Sequence, residues 1–312
     1  MWVRQYMALV MRLGAMIVIV ILLGLARPEF FTVNNFINVL RQSSLIFLLA
    51  SGLTVVVLSE GIDLSVGQVL ALSACIMGWL LKSESMAVAI LAGLVIGAAC
   101  GLANGVLIAY LGLPAFVVTY GMMWITQGFA LLFMKAEIIY GFPKAFRFFG
   151  ATNLMGIPVP VIFMFILGGI LYLMLNYTNF GRYVYNVGAN YEAARFSGVP
   201  IRKIQIMAYT LCGFLAAFAG IFYISRINAV EAGIGDPLLL PCLAAITIGG
   251  TSLYGGEGGV GGTILGAIIM SLIINGMNLL SIDSYWHQFV IGAIVIISVW
   301  VDQFRTAKFQ VA

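Results

Sequence analysis

The stretch Gly181 to Lys203, GRYVYNVGANYEAARFSGVPIRK, is the longest polar interruption in a chain otherwise made of apolar runs. Within it, Asn190 can cap the first turn of a short helix, Gly198 can close that helix in a left-handed conformation, and Pro200 forbids its continuation. The spacing predicts about two helical turns over Tyr191 to Ser197. So short a helix is marginal in water by itself, so it must lean on the membrane surface or on a partner.

Around this loop the composition admits one class. The 312 residues are 62% hydrophobic and 8% charged, with a mean hydropathy of +1.10, which is the usage of a polytopic membrane protein. No stretch carries the charge density that the surface of a soluble domain needs. Residues 1–312 therefore read as a single transmembrane domain whose main protruding loop is 181–203. The net charge of +4 is dispersed and makes no phosphate-tracking patch, which sets nucleic acid aside. Cys75, Cys100, Cys212 and Cys242 stand alone without CxxC spacing, and His287 is the one histidine, so no metal site is expected. Arg4 and Arg12 precede the first apolar run as in a signal peptide. Arg27 and Pro28 follow Ala26 with no small-residue cleavage site, so the run reads as an uncleaved span.

A span needs about 17 to 25 mostly apolar residues to cross roughly 30 Å of hydrocarbon. On that criterion the spans run Leu9–Ala26, Ser43–Leu58, Val66–Leu81, Met86–Leu111, Pro114–Phe133, Val161–Leu175, Ile204–Ile224, Asp236–Gly249, Thr263–Leu280 and Phe289–Val301. The expected fold is all-α, with about ten transmembrane helices, some of them short or broken. Pro28 to Gln42, where Phe30, Phe31, Phe36, Ile37 and Leu40 are interleaved with Asn34, Asn35 and Asn38, suits the membrane interface, and Lys135 to Pro160 forms a second extramembrane loop. Asp236 followed by Pro237 is a good cap and first-turn pair for the eighth helix.

Three interruptions and one stripe stand out. SEGIDLSVGQ, Ser59 to Gln68, restarts a helix, either through a capping box between Ser65 and Gln68 or through Asp63. An ionisable group at membrane depth costs about 2.5 to 3.5 kcal/mol, so Asp63 must be capped, paired or facing water. Gly93, Gly97, Gly101 and Gly105 recur every four residues on one face of the fourth span, which permits close helix packing, and Gly213, Ala217 and Gly220 form a weaker face on the seventh. GGTSLYGGEGGVGGT, Gly249 to Thr263, includes the glycine spacing of a phosphate-binding loop over Gly256 to Thr263. Gly262 stands where its lysine belongs, so nucleotide binding is rejected. Both SEGIDLSVG and GGTSLYGG break pairs of short apolar runs, a pattern that often marks a transporter pathway.

Ten spans leave both termini on one side together with 181–203. That side carries Arg4, Arg12, Arg182, Arg195, Arg202, Lys203, Arg305 and Lys308, against Arg27, Arg41, Lys82, Lys135, Lys144, Arg147 and Arg226 opposite. The tally is nearly even, and the cluster in the central loop leans towards a cytoplasmic location.

The combination EGIDLSVG (Glu60 to Gly67), GRYVYNVGANYEAARFSGV (Gly181 to Val199), GGTSLYGGEGGVGGTILGA (Gly249 to Ala267) and NGMNLL (Asn275 to Leu280) resembles the ribose-type sugar permeases of bacterial ABC importers, in that family's order and over nearly the whole chain. One departure is Glu60, where that family often has glycine. The resemblance implies an ABC importer permease fold in the bacterial inner membrane, with both termini cytoplasmic. It implies a translocation subunit without catalytic residues and with no cofactor of its own. The expected partners are a cytoplasmic ABC ATPase that binds ATP and Mg, a periplasmic or lipid-anchored sugar-binding protein, a second permease subunit, and the lipid bilayer. A related permease for branched-chain amino acids or nucleosides is the alternative, followed by an ion-driven secondary transporter.

A permease without a nucleotide site must receive mechanical work from outside, so the short helix of the opening stretch is the expected contact with the ATPase. Asn190 and Gly198 fix its ends, Ala193 and Ala194 keep one face slim, Glu192 and Arg195 carry charge, and Phe196 offers an anchor. For the substrate pathway the candidate hydrogen-bonding residues are Asp63, Ser65, Asn104, Thr119, Gln127, Asn275 and Asn278.

Overall fold

The structure is a computed structural model that describes residues 2–135 and 137–307; Lys308, counted above for topology, lies outside the described residues. The helices are α1 (Trp2–Ala26), α2 (Val33–Leu58), α3 (Val66–Leu80), α4 (Met86–Ala109), α5 (Ala115–Met134), α6 (Lys144–Ala151), α7 (Val159–Tyr177), α8 (Asn179–Ala189), α9 (Tyr191–Phe196), α10 (Ile201–Ile227), α11 (Leu239–Ile248), α12 (Val260–Leu279) and α13 (Ser284–Ala307). Among the described residues six helices are long and apolar enough to cross a membrane. Four shorter apolar ones, Val10–Ala26, Val66–Leu80, Leu239–Ile248 and Ser284–Trp300, bring the number of apolar helices to ten. The fold is that of an all-α polytopic membrane protein.

Connections between these helices gather at two opposite ends. At one end the Gly256 N–H donates to Leu58 O at 3.0 Å, and the Tyr185 phenol OH donates to Gly258 O at 3.0 Å. That joins the segments after α2, α7 and α11. At the other end β1 (Ile139–Tyr140) pairs antiparallel with β4 (Ala229–Val230), joining the segments after α5 and α10. These are the ends that alternating spans require, so the contacts reproduce the expected order of crossings.

The central element is α2, whose stretch from Ser43 to Leu58 is buried throughout. It departs from the sequence reading, which started a short span at Ser43 after an interfacial segment. The helix instead begins at Val33, capped by Thr32, whose hydroxyl accepts from Asn35 N at 3.3 Å. The interleaved apolar residues and asparagines suggested an interface because sequence shows polarity but not the partner, and here Asn35 is buried and paired with Asn275.

The most extensive helix contact is that between α4 and α10. A Cβ built on Gly97 would collide with Gly213 O, one on Gly101 with Tyr209 O, and one on Gly105 would lie 2.7 Å from Ile206 Cα, so the two backbones touch. Gly93 faces the Met77 side chain on α3 instead. Such contact supplies dispersion where lipid gives no hydrophobic drive between helices.

Lys135 to Pro160 is more ordered than a loop. It holds β1, α6 and the small antiparallel pair β2 (Asn153–Leu154) with β3 (Ile157–Pro158). Ser225 Oγ on α10 donates to Phe146 O at 2.8 Å and accepts from Gly150 N at 2.7 Å, so one hydroxyl pins α6. Phe146, Phe149, Phe163, Phe218 and Phe222 interlock beneath it with ring centroids of contacting pairs 5.0 to 6.5 Å apart.

Asp236 does not cap the eighth helix. Its carboxyl group is engaged by two glutamines, and α11 starts three residues later, at Leu239, with no side-chain cap.

Candidate functional site

The short helix α9 spans Tyr191–Phe196. Asn190 Oδ1 accepts from Ala193 N at 2.9 Å, Val199 N donates to Ala194 O at 3.1 Å, and Gly198 sits at φ +75°, where a side chain would be strained. Sequence reasoning missed α8, because its eleven residues are too polar to read as a span and too apolar to read as a solvated loop. Thr178 caps it by accepting from Gly181 N at 3.3 Å.

The chain enters α9 from α8, which is itself anchored to the protein. Gly188 packs so closely on Leu58 O that a Cβ there would collide with it, and Tyr185 on the same helix holds Gly258 of the glycine-rich loop. Burial pushes the Tyr185 phenol above its ordinary pKa, which keeps the donor protonated. The end of α2, α8 and the glycine-rich loop thus form one platform, with α9 projecting beside it.

Exposure on α9 is uneven. Tyr191, Glu192, Ala193 and Arg195 are exposed, and Phe196 is 86% exposed. Ala194 is only 4% exposed and packs into the hydrophobic core, which corrects the expectation that it forms part of an outward contact face. It is small because its own subunit surrounds it. The Arg195–Glu192 pair, at 4.0 Å, lies on the open surface and contributes little by itself.

The expected pathway residues separate into different environments. Ser65 N and Ser65 Oγ both donate to Asp63 Oδ1, at 2.9 and 2.6 Å, and Asn104 Nδ2 donates to Ser65 Oγ at 3.0 Å. All three residues are buried, so this chain of bonds fixes the turn between α2 and α3 rather than lining an opening. Asp63 therefore holds the turn, and no capping box forms between Ser65 and Gln68. Thr119 is buried and bonds its own helix at Ala115 O, 2.8 Å away. Asn275 is spent on Asn35, and Asn278 is exposed near the end of α12.

Of the expected set, Gln127 borders a cavity. Its Nε2 donates to Asp236 Oδ1 at 3.2 Å, and Gln68 Nε2 donates to the same oxygen. The three residues border a cavity of ≈ 240 Å³ together with Trp124. Gln68 and Asp236 escaped the sequence reading because each had a local explanation, one in a capping box and the other as a helix cap. The available signal was their apolar surroundings: polar groups deep in such segments need partners.

The family model described as "Branched-chain amino acid transport system / permease component" matches residues 35–299. The chain belongs to this permease family. The permease is 37% identical over 306 residues to the ribose import permease protein RbsC of Escherichia coli (strain K12), covering 96% of this chain and 94% of that protein. It is 37% identical to the ribose import permease protein RbsC of Bacillus subtilis (strain 168) over 293 residues, 93% of this chain and 91% of that one. The fructose import permease protein FrcC of Rhizobium meliloti is 36% identical over 285 residues, 88% of the permease and 79% of its own length. No solved structure matches the permease.

Proposed function

We propose that this permease is the membrane-spanning subunit of an ATP-driven ABC importer and that it carries a monosaccharide delivered by a binding protein. The observation that carries this reading is near full-length similarity, at 34 to 37% identity, to permeases named for ribose import, D-allose transport and fructose import. Residues 1–312 act as one translocation domain. The chain hydrolyses nothing; ATP and Mg belong to a cytoplasmic ATPase that docks on the platform around α9, through Phe196 and its exposed neighbours, with Asn190 and Gly198 holding the helix ends. On this reading both termini face the cytoplasm of a bacterial cell. The opposite end, with β1, β4 and α6, receives the periplasmic or lipid-anchored binding protein. A second permease subunit completes the conduit in the inner membrane.

The test is uptake by the native host with and without this chain. Deletion is expected to abolish uptake of labelled ribose, allose or fructose while labelled leucine and nucleosides enter as before. Loss of leucine or nucleoside uptake with all three sugars unaffected overturns the sugar reading. Sugar uptake that survives ATP depletion but collapses with the ion gradient overturns the ATP-driven one.

A further inference from the structure

The helix α11 has only ten residues, about 15 Å at 1.5 Å per residue, so it covers half of a bilayer of roughly 30 Å. The chain before it, from Glu231 to Leu238, reaches α11 from the β4 end through a series of turns. Asp236 therefore lies near the middle of the membrane. Gln127 comes to the same depth from another direction: it stands twelve residues after Ala115, the start of α5, or about 18 Å along that helix. Gln68 lies on the first turn of α3 and donates to the same carboxyl group. Three separate elements thus bring a carboxyl and two amides together at the midplane, where an uncompensated carboxylate costs about 2.5 to 3.5 kcal/mol.

Their hydrogen bonding is incomplete. Both amides donate to Asp236 Oδ1; Asp236 itself is exposed, and among the described residues its Oδ2 accepts no hydrogen bond, so it is open to a ligand. Gln68 is 4% exposed, and its buried Oε1 has no hydrogen-bond partner. A buried amide oxygen without a partner is rare and costs about 1 to 3 kcal/mol, so it marks a place where a ligand or water completes the set. The cavity these groups border holds ≈ 240 Å³, below the roughly 300 to 1,000 Å³ of pockets for drug-sized ligands and suited to one small solute. Leu64, Met123, Leu239 and the Trp124 ring supply its apolar wall.

We propose that Asp236, Gln68 and Gln127, with Trp124 beside them, form a midplane station that binds the travelling solute, and that this solute is a neutral polyol of sugar size. Acceptors on Asp236 and Gln68 and both donor and acceptor on Gln127 match hydroxyl groups, which donate and accept alike. The indole supplies an apolar face and an N–H at its edge. No basic side chain lines the cavity, so the carboxylate of an amino acid finds no counter-charge there. The polar groups sit at a half-helix that begins in mid-membrane, a recurrent arrangement for transporter substrate sites. The station deepens the sugar reading given above and rests on it.

The test is a double-mutant cycle between sugar hydroxyls and protein amides, run on the full importer in its host. Initial uptake is measured for the imported sugar and for each of its monodeoxy analogues, in the wild type and in Gln127→Ala, Gln68→Ala and Asp236→Asn, normalised to permease in the membrane. Discrimination by the binding protein is common to all of these strains and cancels in the ratio. At least one deoxy analogue is expected to enter the wild type about tenfold more slowly than its parent and a variant at nearly the parent's rate, because sugar hydroxyl and amide act as a pair. Variants that slow parent and analogues by the same factor, or that change neither, overturn the proposal and reduce the cluster to a tie for the turn before α11. A wild type that imports no sugar refutes the sugar reading instead.

Discussion

Asn35 and Asn275 exchange hydrogen bonds in both directions, Nδ2 to Oδ1 at 3.1 Å one way and 2.7 Å the other, and so tie the start of α2 to α12. Asn35 Nδ2 also donates to Phe30 O at 3.0 Å, which anchors the turn between α1 and α2 to the same point. Asn275→Leu leaves a buried amide half-satisfied and is expected to cost about 1 to 3 kcal/mol, while the double variant with Asn35→Leu recovers part of that loss. Thermal unfolding of the four proteins in detergent measures the coupling; strictly additive losses would show that the two amides do not act as a pair.

Glycines on the α4 stripe differ in what surrounds them. A methyl group on Gly101 meets the Tyr209 carbonyl and lies 3.0 Å from Thr210 Cα, both rigid backbone, whereas one on Gly93 meets only the flexible Met77 side chain. Gly101→Ala is expected to reach the upper part of the roughly 1 to 3 kcal/mol range for overpacking, and Gly93→Ala its lower edge. Unfolding midpoints of the two purified variants test this order, and equal losses count against the backbone contact as the cause.

On α9, Phe196 is open to solvent and Ala194 is enclosed. Phe196→Ala is expected to leave the thermal midpoint of the isolated permease unchanged and to lower the amount of ATPase that co-purifies with it. Ala194→Trp is expected to lower the midpoint itself. A Phe196→Ala permease that still retains its full complement of ATPase would remove Phe196 from the docking face.

Asn190→Ala removes the side-chain acceptor for Ala193 N and is expected to cost about 1 kcal/mol locally, with Asn190→Asp restoring most of it. Amide exchange over residues 191–197 reads the fraying directly. Unchanged exchange would mean that α9 is held by its contacts with the platform and not by its cap.

Ser225→Ala deprives Phe146 O and Gly150 N of their shared partner and is expected to cost about 1 to 3 kcal/mol, concentrated in α6. Proteolysis of the 135–158 segment should become faster in this variant while the remainder of the chain keeps its resistance.

Much of this architecture is legible in the sequence because a bilayer imposes a length rule on apolar runs, and every apolar helix among the described residues overlaps a run that can be read residue by residue, although α2 starts ten residues earlier than its run. The two ends of α9 are legible for a second reason: a cap and its αL glycine act within a few residues, so Asn190 and Gly198 carry their geometry with them. Four glycines spaced by four likewise mark one helical face before any partner is known.

Only the tertiary structure decided where polar side chains point. Asn35 waits on a residue far along the chain at Asn275, Gln68 on Asp236, and Asp236 on Gln127 as well, so local patterns assigned them to an interface, a capping box and a helix cap. Burial in the protein and exposure to lipid both select apolar residues, so the sequence could not separate the enclosed Ser43–Leu58 part of α2 from helices that face the bilayer. The enclosure of Ala194, the packing of Gly188 on Leu58 and the meeting of Gln68, Gln127 and Asp236 depend on contacts between distant segments. The order of residues alone does not specify those contacts.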